Sequence, residues 1–256
     1  MSIVPAFFNR TASIRPLFDD AGVSEIAVNG PGIVWVSRQG RRFMERVDTP
    51  VLSESTLRDF AELVAHHSDQ ETDMTRPLLA ASIPSELTGQ GNRDFRIQVV
   101  QPPAVPPGTI AIAIRKPSTL DLTMQYYEDS GAFSRVNEPL PDAQDTGRKL
   151  AMLYRDRNWP GFLRLAVQAK KNIVVSAPTF AGKTEFINML LKEMSPHERI
   201  VTIQDALELR PPQQNVVHLV YSRGNQGTAQ VTAVDLMETS LRLSPDRVIP
   251  GDSRND

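Results

Sequence analysis

Apolar positions along the chain follow two rhythms, and the change from one to the other marks out the predicted elements. Near the start, Ile14 to Phe18 suit a short helix that Asp19-Asp20-Ala21-Gly22 stops. Ser24-Glu25-Ile26-Ala27-Val28 and Ile33-Val34-Trp35-Val36-Ser37 read as strands joined by the turn Asn29-Gly30-Pro31-Gly32. Leu57, Phe60, Ala61 and Val64 then recur at helical spacing behind a Ser53 or Ser55 cap. Two later segments alternate. Phe95, Ile97 and Val99 share one face with Arg96 and Gln98 opposite; Ile110, Ile112 and Ile114 share one face with Ala111, Ala113 and Arg115 opposite. The Pro-rich stretch between them cannot be a central strand. If the two strands are neighbours, Arg96 and Arg115 project from one sheet face; on pattern alone they are equally two unrelated surface arginines.

From Lys116-Pro117 to about Pro160 the periodicity fades and turn-forming and charged residues dominate. This predicts a linker over 119–158, with a helix near 146–155, between an N-terminal α/β domain (1–118) and a second domain (159–256). A helix over 161–171 leads to Ile173-Val174-Val175, three consecutive β-branched residues that predict a buried strand. Phe186, Met189, Leu190 and Met194 follow on a helix face. Ile200-Val201-Thr202-Ile203-Gln204 and Val216-Val217-His218-Leu219-Val220 are further strands, and Val234, Leu236, Met237, Leu241 and Leu243 mark one more helix. His218 reads first as a core or edge histidine. His66 and His67, being adjacent, do not share a helix face and are no metal pair.

The chemistry concentrates between the first of those strands and its helix. Ala177-Pro178-Thr179-Phe180-Ala181-Gly182-Lys183-Thr184 is a phosphate-binding loop in layout: strand, tight turn, Gly-Lys-Thr, helix. A helix N-terminus presents unpaired N–H groups to a phosphate, Lys183 neutralises the β- and γ-phosphates, and the Thr184 hydroxyl holds Mg²⁺. Ala177 stands where the pattern has its first Gly, which weakens the cradle by a methyl group. Downstream, Asp205 and Glu208 follow a strand's C-terminal end, where open α/β sheets bind ligands. Val248-Ile249-Pro250-Gly251-Asp252 resembles a strand delivering a carboxylate to the metal's water shell.

Composition narrows the class. A hydrophobic share of 40% with 23% charged residues suits a globular chain. The net charge of −2 gives no global pull toward nucleic acid, and no basic stripe with interleaved aromatics predicts sequence-specific nucleic-acid binding. Without cysteine, disulfides and thiolate metal sites are excluded. No apolar run spans a bilayer, and the first ten residues lack a signal-peptide pattern. A small-molecule kinase would need an acceptor site that the sequence does not display.

Taken in order, the phosphate loop, Thr202-Ile203-Gln204-Asp205 with Glu208, Val217-His218-Leu219, Ser240-Leu241-Arg242 and Pro245-Asp246-Arg247 resemble the traffic ATPases of bacterial type IV secretion and conjugation systems. Glu25-Ile26-Ala27-Val28-Asn29, Arg76-Pro77 and Ile112-Ala113-Ile114-Arg115-Lys116-Pro117-Ser118 extend the resemblance over nearly the whole chain. It implies an N-terminal α/β domain with an antiparallel sheet joined to a RecA-like P-loop ATPase domain, incomplete here because the family continues with a His-containing box. It further implies a homohexamer, peripheral to the cytoplasmic face of the inner membrane, that works with other secretion components and binds ATP and Mg²⁺ between its domains. Arg96 and Arg115 then match arginines that reach the γ-phosphate. Gln204 and Asp252 stand where the family usually carries Glu, and Pro250 falls in what should be a central strand. These departures leave a second reading open, a nucleotide-binding assembly module with little hydrolysis.

Overall fold

The computed structural model describes residues 7, 9–50, 52–89, 93–118, 123–134, 136, 141–178, 180–222 and 227–251. The chain divides into two compact units, Met1–Pro117 with Pro196–Asp256, and Ser118–Ser195. The first boundary falls one residue from the expected end of the N-terminal domain. The second cuts through the expected ATPase domain.

In chain order the first unit begins with α1 (Arg15–Asp19), β1 (Val23–Gly30), β2 (Ile33–Arg38) and β3 (Glu45–Val47). It continues with α2 (Glu54–His67), β4 (Leu78–Ile83), α3 (Ser85–Thr88), β5 (Phe95–Val100) and β6 (Ala111–Arg115). Ser53 caps α2, its hydroxyl accepting from the Thr56 amide at 3.1 Å. The strands form one antiparallel sheet in the order β3-β2-β1-β6-β5-β4. The expected alternation decides its faces. Ile26, Val28, Phe95, Ile97, Val99, Ile112 and Ile114 turn toward α1 and α2, where Phe18 meets Phe95 edge-on at 5.5 Å. Lys116 Nζ donates to the Leu17 and Asp20 carbonyls (3.2 and 2.6 Å), satisfying the end of α1.

The second unit is helical: α4 (Met124–Asp129), α5 (Pro141–Arg155), α6 (Trp159–Gln168) and α7 (Lys183–Leu191). Two expectations fail here. A helix, α4, forms where no periodicity is visible, because the Thr123 hydroxyl accepts the Tyr126 amide at 3.2 Å and starts it locally. Conversely, Ile173-Val174-Val175 form no strand, and Val174 is 93% exposed. A strand needs a neighbour to take its main-chain groups. Among the described residues of this unit none is extended beside it.

The chain then returns to the first unit with β7 (Ile200–Gln204), β8 (Val216–Val220), α8 (Ala233–Arg242) and β9 (Arg247–Pro250). A capping box, Thr232 with Asp235, starts α8. The three strands run parallel in the order β8-β7-β9. Val201, Ile203, Val217, Leu219, Leu236 and Leu243 join Val100, Ala111 and Ala113 in a second core cluster. The Ile/Ala alternation of β6 therefore serves two layers: isoleucines fill the α-helical side, and alanines let a second sheet approach. That packing assigns 196–251 to the first unit. Pro250 removes no hydrogen bond from the β7–β9 pair, contrary to expectation. The Arg247 and Gly251 amides donate toward the β7 side, to Arg199 O and Ile203 O, so the Pro250 nitrogen faces the side of β9 on which no strand pairs among the described residues, where proline is tolerated.

Candidate nucleotide site

The phosphate loop enters α7 through Gly182, whose φ of +79° lies in the left-handed region that glycine adopts without penalty. Phe180 adopts φ +65° and is fully exposed, while Lys183 and Thr184 are half-buried in the first turn. No side chain caps α7, whereas Ser53, Thr123, Asn158 and Thr232 cap α2, α4, α6 and α8. An N-terminus whose capping position is a backbone-only glycine leaves its approach open to an anion. Ala177 is half-buried, and Pro178, Ala181 and Gly182 are exposed. Thr179 and Asp252 lie outside the described residues.

On the first unit, Arg96 and Arg115 are direct cross-strand partners on β5 and β6, and Glu25 of β1 continues the row beyond Arg115. All three share the sheet face that carries Ala113. Two like charges opposite each other destabilise a sheet, so an anion between them would be favoured. The Arg115 Nη2 donates to Ser244 Oγ at 2.8 Å and lies 3.8 Å from Glu25. Both arginines are exposed.

Gln204 behaves differently. It is 2% exposed, and its Oε1 accepts the amides of Glu208 and Leu209 at 2.9 and 2.8 Å. Its Nε2 donates to Thr202 Oγ1 at 2.9 Å, and that hydroxyl meets His218 Nδ1 at 2.8 Å. The amide is thus engaged at both ends inside the fold. Asp205 and Glu208 sit on the turn it holds, half-buried and exposed respectively. Burial pushes the His218 pKa down, favouring the neutral ring.

Residues 146–256 match the family described as Type II/IV secretion system protein. The type IV secretion system protein PtlH of Bordetella pertussis is 36% identical over 252 residues, covering 94% of this chain and 68% of its own length. VirB11 of Bartonella quintana is 34% identical over 247 residues, covering 92% and 67%. Among solved structures, the VirB11 ATPase from the Brucella suis type IV secretion system, in complex with sulphate, matches with a TM-score of 0.86 at 32% identity. That match covers 98% of this chain and 70% of the other. The chain belongs to the VirB11 family of type IV secretion ATPases.

Sequence reasoning missed one feature of this VirB11-family chain, a buried polar cluster where the two sheets of the first unit meet. Arg199 is 1% exposed. Its Nη1 donates to Asn29 Oδ1 and Asn215 Oδ1 (2.8 and 2.5 Å) and its Nε to Leu243 O at 2.7 Å. Nη2 of Arg199 and Oε1 of Glu25 are buried with no hydrogen-bond partner among the described residues. Burial pushes the guanidinium down to about 10 against the pull of Glu25 and Asp246, so it stays charged at neutral pH. Beside it, Arg247 Nε donates to Glu198 at 2.6 Å. The only signal in the sequence was an arginine directly before an apolar strand. Asn29 read as a turn residue.

Proposed function

We propose that this chain binds ATP through Ala177-Pro178-Thr179-Phe180-Ala181-Gly182-Lys183-Thr184, hydrolyses it, and drives substrate transport or pilus assembly in a type IV secretion machine. The observation that carries the reading is the uncapped N-terminus of α7 behind a left-handed Gly182, with Lys183 in its first turn. That a VirB11 relative was solved with sulphate supports an anion at such a site. Lys183 would neutralise the β- and γ-phosphates, and Arg96 with Arg115 would stabilise charge on the γ-phosphate. Asp205 and Glu208 would line the nucleotide.

Magnesium fits this donor set in the manner usual for nucleotide sites. Among the described residues no three carboxylate or imidazole groups converge on a metal, and Mg²⁺ needs only one or two protein ligands when phosphates supply the rest. Thr184 would be one ligand and Asp252 the holder of its water shell; bound there, the ion would neutralise charge developing on the transferred phosphate. A homohexamer beside the inner membrane, working with other secretion components, completes the reading. No helix among the described residues is long and apolar enough to cross a membrane.

Lys183→Ala should abolish tight ATP binding, measured by fluorescent-nucleotide titration. Unchanged affinity would remove the phosphate loop from this account. A second reading, binding with little hydrolysis, is favoured by the buried Gln204 amide, whose oxygen accepts two main-chain amides and whose nitrogen already donates to Thr202. Mg²⁺-dependent phosphate release from the purified chain separates the two.

A further inference from the structure

The face of β7 and β8 turned away from the second core cluster carries His218, Thr202 and Gln204 as a contiguous polar row. Thr202 and His218 are cross-strand partners, and Gln204 lies two residues along the same strand. The row ends at the turn bearing Asp205 and Glu208.

We infer that Gln204, Thr202 and His218 form a directional hydrogen-bond relay, with Gln204 a positioning residue for the acidic turn and His218 held as its Nε2–H tautomer. Chemistry fixes each direction in turn. Main-chain amides only donate, so the oxygen of the Gln204 side chain must face Glu208 and Leu209. Its nitrogen therefore faces Thr202 and donates to it. Thr202 is completely buried, and among the described residues its own hydrogen has one acceptor within reach, His218 Nδ1. A ring nitrogen that accepts carries no proton, so the neutral ring holds it on Nε2. That Nε2–H makes no hydrogen bond among the described residues and stands as a donor on a half-buried side chain of the sheet's edge strand.

The choice of Gln over Glu now has a consequence of its own. A carboxylate at 204 would still accept the two amides, but it cannot donate to Thr202. The hydroxyl would turn to donate to it, and His218 would have to supply a proton from Nδ1. One change at 204 thus reverses every donor and acceptor as far as the ring, while the turn stays anchored. Removing the polar group altogether leaves the Leu209 amide unpartnered and the Glu208 amide with only its local bond to Ala206 O, loosening the turn.

The link to turnover rests on the ATPase reading; the relay itself does not. Ring ¹⁵N–¹H correlation spectra of the 256-residue chain, which has four histidines, test the relay directly, with His218→Asn identifying the signal. The wild type should show Nε2 protonated and Nδ1 bare, and Gln204→Glu should move the proton to Nδ1. A wild-type ring protonated on Nδ1, or identical rings in both proteins, overturns the relay. Hydrogen exchange tests the positioning. Gln204→Leu should speed exchange at the Glu208 and Leu209 amides about tenfold while Val201 and Ile203 keep their protection, and Gln204→Glu should restore slow exchange. Unchanged amides in Gln204→Leu overturn it. If that variant also loses protection at Val201 and Ile203, Gln204→Glu decides: slow exchange at both turn amides with a shifted ring proton upholds the proposal, and anything else refutes it. Phosphate release should fall in Gln204→Leu and return in Gln204→Glu; equal turnover in all three proteins overturns the positioning role. A wild type without turnover counts against the ATPase reading alone, and the spectra still decide.

Discussion

The two core layers of the first unit and the phosphate loop of the second use similar apolar residues to different ends. In β5 and β6, every isoleucine or valine finds a partner strand on either side and a helix or sheet above it. Around the phosphate loop, Val174, Phe180, Phe186 and Met189 face outward, and elsewhere in this unit the exposed Tyr154 packs edge-on against Trp159 and Phe162. The first region is held by two large apolar clusters, whereas the second buries few apolar side chains, Val167 and Leu191 among them, and adds local devices: the Asn158 cap on α6 and the Arg164–Glu193 pair at 2.9 Å. A helix cap contributes about 1 kcal/mol and a solvent-screened ion pair little, so with fewer buried side chains the second region has less resistance to local opening. For a loop proposed to accept and release a phosphate, that freedom would be useful.

The contrast is broken most severely at the sheet interface. Arg199→Ala should lower the unfolding free energy by about 3–5 kcal/mol in urea titration, because Asn29, Asn215 and Glu25 would be left buried without their cation. Ile114→Ala, in the first core, should cost about 2–5 kcal/mol. Arg96→Ala removes one of two facing like charges; it should raise stability by about 0.2–1 kcal/mol while weakening nucleotide binding. Val174→Ala should change stability by no more than about 0.5 kcal/mol, in keeping with its exposure. A loss comparable to that of Ile114→Ala would show the second region to be held by burial after all.

Acid sharpens the comparison from another side. The folded pKa of His218 lies below its ordinary value of 6.5, so the unfolded chain binds more protons as pH falls through that value. Stability from the neutral ring is therefore present above about 6.5 and drains away below it. Urea midpoints at pH 7.5 and 5.5 should fall further apart in the wild type than in His218→Asn.

How much of this was readable in advance depended on whether a residue's partner is encoded nearby. The alternation of Phe95 to Val100 and Ile110 to Arg115 was enough to place both faces of β5 and β6, but it took the strand order to set Arg96 opposite Arg115. Side-chain period is a local property of a strand. Ile173-Val174-Val175 misled because β-branched composition states a preference, while a strand also needs a neighbour that composition does not name. The roles of Gln204 and Arg199 were hidden for a related reason. Arg199 meets Asn29 from 170 positions away, and nothing in either segment marks the other.

The direction in which Pro250 points its nitrogen has a further consequence for the flank of β9. Along that outer side the main chain offers the carbonyls of Val248 and Pro250 but only one amide, that of Val248. Any peptide laid against it meets a surplus of acceptors, and would have to arrive rich in donors and in a single alignment. Any strand that pairs there leaves one of its own carbonyls without a donor at Pro250.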